Sequence, residues 1–337
     1  MDKQYFSPEM YIVQNFPRYN SWPMIETVGG RLICAYSRGD SHSISEACRS
    51  GYVRVSDDGG ITWQEENLIR NNEMQADVPS GSGVDSTGAM LLLMRSCTEC
   101  PFRISFTLLR TVDGKKFEQL CIPKLAIQPM QITGIFFIPE VGLVSLWFAG
   151  NYRSGEDNSY GMLVSKDDGK SWEQCVIGSN LPKHQWPTEP AAVYLGNGRI
   201  LVIARRENTP NQKEKSVQFQ LESKDYGKTW SLALTNIDDI LESTPSLIYD
   251  PETGLISNYY FQRFTGLLKR RTALAEEIIG NPNGWSEPVV ICHASEDGCH
   301  AGNVQATVLG KKHILSIYTG NEKDTAVVVV PVNSPSC

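Results

Sequence analysis

Four arginines recur at matched distances after a proline. Pro23 leads to Arg38, Pro79 to Arg95, Pro190 to Arg205 and Pro245 to Arg263, at spacings of 15, 16, 15 and 18 residues. The residues just before these prolines are Trp22, Val78, Glu189 and Thr244, so Glu189 is the only acid in the set. Guanidinium groups gathered at one mouth repel each other unless an anion lies between them. They bind a carboxylate or sulfate bidentately, which makes Arg205, Arg263, Arg38 and Arg95 candidates for an anion clamp. Glu189 is the candidate for proton transfer at the same mouth, since a buried carboxylate without a partner is costly. The alternative for each arginine is an ion pair with a local acid, and for Glu189 a pair with a neighbouring arginine. Arg206 follows Arg205 and, by strand alternation, points the other way.

A repeated octet indicates what positions these residues. Ser-x-Asp-x-Gly-x-Ser/Thr-Trp occurs at Ser56–Trp63, Ser165–Trp172 and Ser223–Trp230. The Asp suits a tight turn in which its carboxylate accepts backbone N–H bonds, and the Gly takes positive φ. The Trp re-enters a strand and packs between sheets. These aspartates are therefore structural. A weaker echo lies at Thr111–Phe117, and another at Asn283-Gly284-Trp285. The landmarks Trp63, Phe117, Trp172, Trp230 and Trp285 are 54, 55, 58 and 55 residues apart. Segments 131–172 and 300–332 follow the same outline without the arginine. The result is six units of about 55 residues, each read as four short strands, which predicts an all-β, six-bladed β-propeller. Tyr11–Phe16 is a strand with no unit of its own, and is expected to complete the last blade and close the ring. The whole chain, 1–337, reads as one domain. Thr272–Ile279 allows one or two helical turns.

In such an architecture the first strands line the axis and the loops at one mouth form the pocket. A net charge of −7 argues against bulk nucleic-acid binding. No apolar run is long enough to span a bilayer, and no signal peptide is evident. The nine cysteines, an odd number, read as free thiols in a reducing compartment. The expectation is a cytoplasmic protein, or a phage protein released by lysis. Cys97/Cys100 and the pairs Cys292-His293 and Cys299-His300 read as loop and packing residues. Neither a metal nor another cofactor is predicted.

The octet resembles the Asp-box of the sialidase superfamily, in which the box lies on turns opposite the active site. The stretch from Glu189 to Arg205 is similar to the sialidase segment carrying the catalytic Glu and the second triad Arg. The resemblance spans nearly the whole chain through the boxes. It implies a six-bladed propeller that binds sialic acid, with Arg205 and Arg263 on the sugar carboxylate and Glu189 as the acid that supports a nucleophilic Tyr. This chain departs from the pattern in two places. Exo-sialidases carry Arg-Ile-Pro where this chain has Ser21-Trp22-Pro23, and Arg18 is out of register. The nucleophilic Tyr belongs where this chain has Gly302-Asn303-Val304, and Tyr318 falls at the end of the following strand. Asp40 is a possible match for the family's loop Asp, and Asp77 for a residue at the pocket rim.

These departures resemble the propellers of phage endosialidases, which keep the Glu and two arginines, lack the Tyr, and place a Tyr, a Trp and a His at the first blade. Tyr19, Trp22 and His42 fit that pattern. The resemblance implies aromatic stacking on sugar faces and proton shuttling by His42. The expected activity is hydrolysis of α-linked sialic acid in a sialoglycan or in polysialic acid. The alternatives are a propeller that binds sialoglycans without cutting them, and a hydrolase or lyase of another anionic polysaccharide.

Overall fold

The computed structural model describes residues 9–99, 102–121, 123–151, 157–207, 217–240, 243–295 and 300–335. Cys100 and Cys299 lie outside the described residues. Four sheets have four antiparallel strands each, in sequence order. They are Ala76–Val84, Met90–Glu99, Phe102–Thr111 and Glu118–Cys121; Gln131–Ile138, Gly142–Ala149, Ser159–Ser165 and Glu173–Gly178; Pro187–Gly196, Arg199–Arg206, Phe219–Ser223 and Ser231–Leu234; and Pro245–Asp250, Leu255–Gln262, Leu267–Leu274 and Val289–His293. A fifth sheet of eight strands holds both ends of the chain. One half is Tyr19–Val28, Arg31–Gly39, Ser50–Ser56 and Asn67–Arg70. The other is Ala301–Leu309, Lys312–Gly320 and Thr325–Asn333, with Tyr11–Gln14 antiparallel to the last of these.

The six sequence units thus appear as five hydrogen-bonded sheets. The halves of the large sheet join through one parallel pairing, Tyr19 with Thr325, reinforced by Asn20 Nδ2 donating to the Thr325 carbonyl at 2.7 Å. Among the described residues helix is confined to the single turns Lys183–Gln185 and Ala275–Ile278, the latter inside the segment that the sequence left open between one and two turns. No helix among the described residues is long and apolar enough to cross a membrane.

Apolar side chains from both faces of the strands fill the seams between neighbours. Met24, Ile33 and Val53 meet Met90, Leu92 and Leu109. Leu91 and Phe106 meet Ile132 and Trp147, and Val144 and Met162 meet Ile200 and Leu221. Leu201 and Ile203 meet Ile256 and Tyr260, and Tyr259 and Leu268 meet Leu315 and Val328. Tyr19 and Ile25 then meet Tyr318 and Val327. Burial on both faces explains the near-continuous apolar runs in the sequence.

The octets fold alike. Ser56 Oγ donates to Asp58 Oδ1 at 2.8 Å and accepts from Gly60 N at 2.8 Å, while Thr62 N and Oγ1 donate to the two oxygens of Asp58 at 2.9 and 2.5 Å. Trp63 Nε1 closes the turn on the Gly60 carbonyl at 3.0 Å. The Ser165–Trp172 and Ser223–Trp230 turns repeat these bonds. Gly60 has φ +95°, and a Cβ there would press on Val329 at 3.0 Å. The echo at Trp285 differs, because its indole donates to Gln220 Oε1 at 3.0 Å instead.

The Thr62 hydroxyl, then the Thr62 amide, hold the exposed Asp58 carboxyl down to about 2. A depressed folded-state value stabilises the fold above the unfolded value of about 3.9, and that contribution is lost as pH falls toward the folded value. Asp58→Asn should therefore lower the urea midpoint at pH 6, with the gap to wild type closing by about pH 2. A gap that persists undiminished in acid would contradict this account of the turn.

Candidate active site

Three first strands carry the same backbone irregularity. The register slips between Ser21 and Met24, between Thr188 and Ala191, and between Gly302 and Gln305. Inside each slip a non-glycine residue takes positive φ: Trp22 at 53°, Glu189 at 47° and Asn303 at 50°. Such conformations cost on the order of 1–3 kcal/mol each, and persist only where the surroundings impose them. All three residues line one cavity of about 320 Å³, together with His42, Arg95, Arg205, Glu207 and Arg263. It adjoins an axial channel lined by the first strands, whose acids are Glu26 and Glu189. Glu26 accepts from Ser82 Oγ at 2.7 Å, and burial pushes its carboxyl up to about 7.

Arg205 lies between two carboxylates. Its Nη1 donates to Glu189 Oε2 at 3.1 Å, and its Nε lies 3.0 Å from Glu207 Oε1. Glu207 also accepts from Thr188 Oγ1 at 3.0 Å. Side chains this enclosed (14 % exposed for Arg205, 16 % for Glu189 and 5 % for Glu207) interact strongly, because little water screens them. Arg263 brings a further cation, and its buried Nε has no hydrogen-bond partner among the described residues. Arg95 lines the same wall as Val78 and Pro79 and is almost fully buried. Arg206 turns away, its Nε donating to the His184 carbonyl at 3.0 Å.

The first sheet supplies the aromatic side of the cavity. Trp22 lines it, with the Arg49 guanidinium 4.8 Å from the indole centroid. His42 lines the cavity with its ring against Tyr19, Trp22 and Tyr318, while the residue as a whole is exposed. Its Nδ1 is 2.9 Å from the Tyr19 hydroxyl. Desolvation first, then the charges of Arg263 and Arg49, push the imidazole down to about 4. It is therefore neutral at pH 7. Burial likewise raises the Tyr19 and Tyr318 hydroxyls, so both remain protonated.

Several residues that the sequence grouped at the mouth belong elsewhere. Arg38 is committed to Glu66 by a two-pronged ion pair, donates to Asn20 Oδ1 at 2.9 Å, and stacks 4.3 Å from the Tyr52 ring centroid; it does not line the cavity. Asp40 is 72 % exposed and pairs with Arg18. Asp77 is fully buried under the strand, accepting from Ser96 Oγ at 2.5 Å and Gln75 Nε2 at 3.2 Å. Tyr19 is fully buried behind His42 and presents no face to a ligand. Where the resemblance puts the nucleophilic Tyr, Asn303 lines the cavity, and Tyr318 is not among the lining residues.

Two residues went unnoticed in the sequence. Glu207 follows Arg205 by two positions, just past the end of the strand Arg199–Arg206, and no pattern in the sequence marked it. Arg49 has no sequence signal. It is fully buried, donating to Ser21 Oγ and Ser37 Oγ at 3.2 Å and to the Ser43 carbonyl at 3.0 Å, and it fastens the loop that carries His42.

Two outcomes follow from this geometry. In NMR titration His42 should remain neutral through neutral pH and titrate near 4, and Arg263→Met should raise that value by removing a repelling charge. A wild-type value near the unperturbed ~6.5 would contradict this account of the ring's desolvation and of the charges beside it. Arg38→Met should leave Glu66 without its cation and lower stability by about 1–3 kcal/mol in denaturant melts, without loss of ligand binding.

The BNR/Asp-box repeat family matches residues 54–65, which contain the first octet. No curated protein matches in sequence. Among solved structures, a protein of unknown function from Dyadobacter fermentans aligns with TM-score 0.78 at 15 % identity, over 97 % of this chain and 98 % of that one. The NanB sialidase of Streptococcus pneumoniae aligns with TM-score 0.68 at 13 % identity, over 96 % and 70 %. The phage phi92 endosialidase aligns with TM-score 0.67 at 8 % identity, over 98 % and 70 %. The chain thus carries a BNR/Asp-box repeat on an all-β fold that it shares with sialidases, a phage endosialidase among them.

Proposed function

We propose that the chain is a single six-bladed propeller domain, and that its mouth cavity hydrolyses α-linked sialic acid. The six blades follow from taking the eight-stranded sheet as two blades bridged by the Tyr19–Thr325 pairing, with Tyr11–Gln14 as the outer strand of the last. The observation that carries the functional reading is Glu189. It is held on a strained bulge, paired with Arg205, in a cavity that Arg263 and Arg95 also line.

In this reading Arg263, with Arg95 and the outer edge of Arg205, holds the sugar carboxylate. Trp22 covers one face of the ring. Glu189, paired with Arg205, accepts a proton from the attacking water. His42 carries a proton at the leaving oxygen. The anionic substrate opposes the repulsion from Arg263 and Arg49, which after desolvation are what lower the proton affinity of His42. With Asn303 in place of a nucleophilic Tyr, water attacks the anomeric carbon directly and the configuration inverts, an exception among sialidases.

The test is release of sugar from sialyllactose and from polysialic acid, alongside Glu189→Gln. We expect turnover in the wild type and a loss of at least about a hundredfold in the variant, with binding retained. Full activity in Glu189→Gln would remove Glu189 from the chemistry. The first product seen by NMR should be the β anomer; an α product would contradict direct water attack. Asn303 also favours a second reading, a propeller that holds sialoglycans without cutting them. Binding without release would establish it.

A further inference from the structure

Met130 lines the mouth cavity and also a separate groove of about 460 Å³, whose other lining residues are Phe102, Arg103, Ile104, Gln128, Pro129 and Gly150. Phe102, Arg103 and Ile104 open the strand Phe102–Thr111 in one sheet, whereas Gln128–Met130 lead into the strand Gln131–Ile138 of the next. The groove therefore follows the seam between neighbouring sheets.

Its chemistry differs from that of the seams around it. Elsewhere along this interface aromatic side chains point inward, as Phe106 and Trp147 do in the apolar cluster below. Phe102 instead is 58 % exposed. A sugar face stacks well on a phenyl ring exposed in this way. Arg103 beside it is exposed, and guanidinium binds a carboxylate bidentately. Gln128 adds amide donors and acceptors at the groove edge. An aromatic platform, a cation and an amide suit a carboxylated sugar rather than an apolar partner.

We propose that this groove is a second subsite, which binds the next acidic sugar of a sialic acid oligomer whose neighbour occupies the mouth cavity. The assignment rests on the mouth cavity being a sialic acid site, because the groove serves that ligand only by adjoining the cavity at Met130. It makes the protein selective for acidic oligomers over a sialic acid attached to neutral sugars. Phe102 and Arg103 are specificity-determining residues here and take no part in bond cleavage.

The experiment is calorimetric titration of the Glu189→Gln protein with an α2,8-linked sialic acid tetramer and with sialyllactose, repeated after adding Phe102→Ala or Arg103→Gln. The tetramer should bind more tightly than sialyllactose, and each added substitution should weaken tetramer binding about tenfold while leaving sialyllactose unchanged. Both positions are at the surface, and matching melting temperatures would confirm intact folding. Unchanged tetramer affinity in both variants, with sialyllactose still bound, would overturn the second subsite alone. Equal weakening toward both ligands would overturn its selectivity for an acidic sugar. Binding of neither ligand by the parent protein would overturn the reading of the mouth cavity, and the subsite with it.

Discussion

The site depends on Arg205 sitting between Glu189 and Glu207. Two enclosed carboxylates, Glu189 on a first strand and Glu207 just past the end of the next, repel each other and lose hydration. One guanidinium that reaches both makes the arrangement tenable. Removing one partner of such a buried pair typically costs about 3–5 kcal/mol, because the remaining charge is stranded. This fixes more than charge. Glu189 has φ +47° inside a bulge, a conformation it would otherwise leave, and the ion pair holds its carboxylate toward the cavity. One guanidinium between two carboxylates leaves the triad one negative charge, and Arg95 and Arg263, which line the same cavity, bring these five lining side chains to a formal net of one positive charge. The local charge favours an anion, although the chain as a whole is acidic.

The sheets make that placement reproducible. Apolar seams on both faces of each sheet leave the first strands at the axis, and the octet turns pin the opposite ends of the third strands. The slips at Trp22, Glu189 and Asn303 then each turn one side chain toward the mouth. A rigid scaffold with a strained backbone at three of the residues that line one cavity is the pattern expected where geometry serves a ligand rather than the fold.

Much of this was legible in the sequence. The octet, its period and the strand content follow from short-range rules of turns and alternation. Glu189 and Arg205 follow from their positions in a repeated unit. Arg38 shows where that logic fails. It stands 15 residues after its proline, as Arg205 does, yet it pairs with Asn20 whereas Arg205 pairs with Thr188. The hairpin before Arg205 contains an additional slip between Tyr194 and Gly196. That one residue shifts the register, and a shift of one reverses the face a side chain takes. Arg38 therefore meets Glu66 and Tyr52 instead of the mouth. Asp40 lies just past a strand end, where alternation no longer constrains direction. Arg49 was hidden for a different reason: its role comes from contacts to Ser21, Ser37 and Ser43, which no local pattern brings together.

The central claim is that this cavity recognises the negative charge of a carboxylated sugar. The most direct measurement is calorimetric titration of the protein with an α-methyl sialoside and with the same sialoside as its neutral carboxylate methyl ester. The account predicts that the acid binds and that the ester binds at least about tenfold more weakly, a difference of about 1.4 kcal/mol, with the acid's advantage lost in Arg263→Met. Equal affinity for acid and ester would contradict the account.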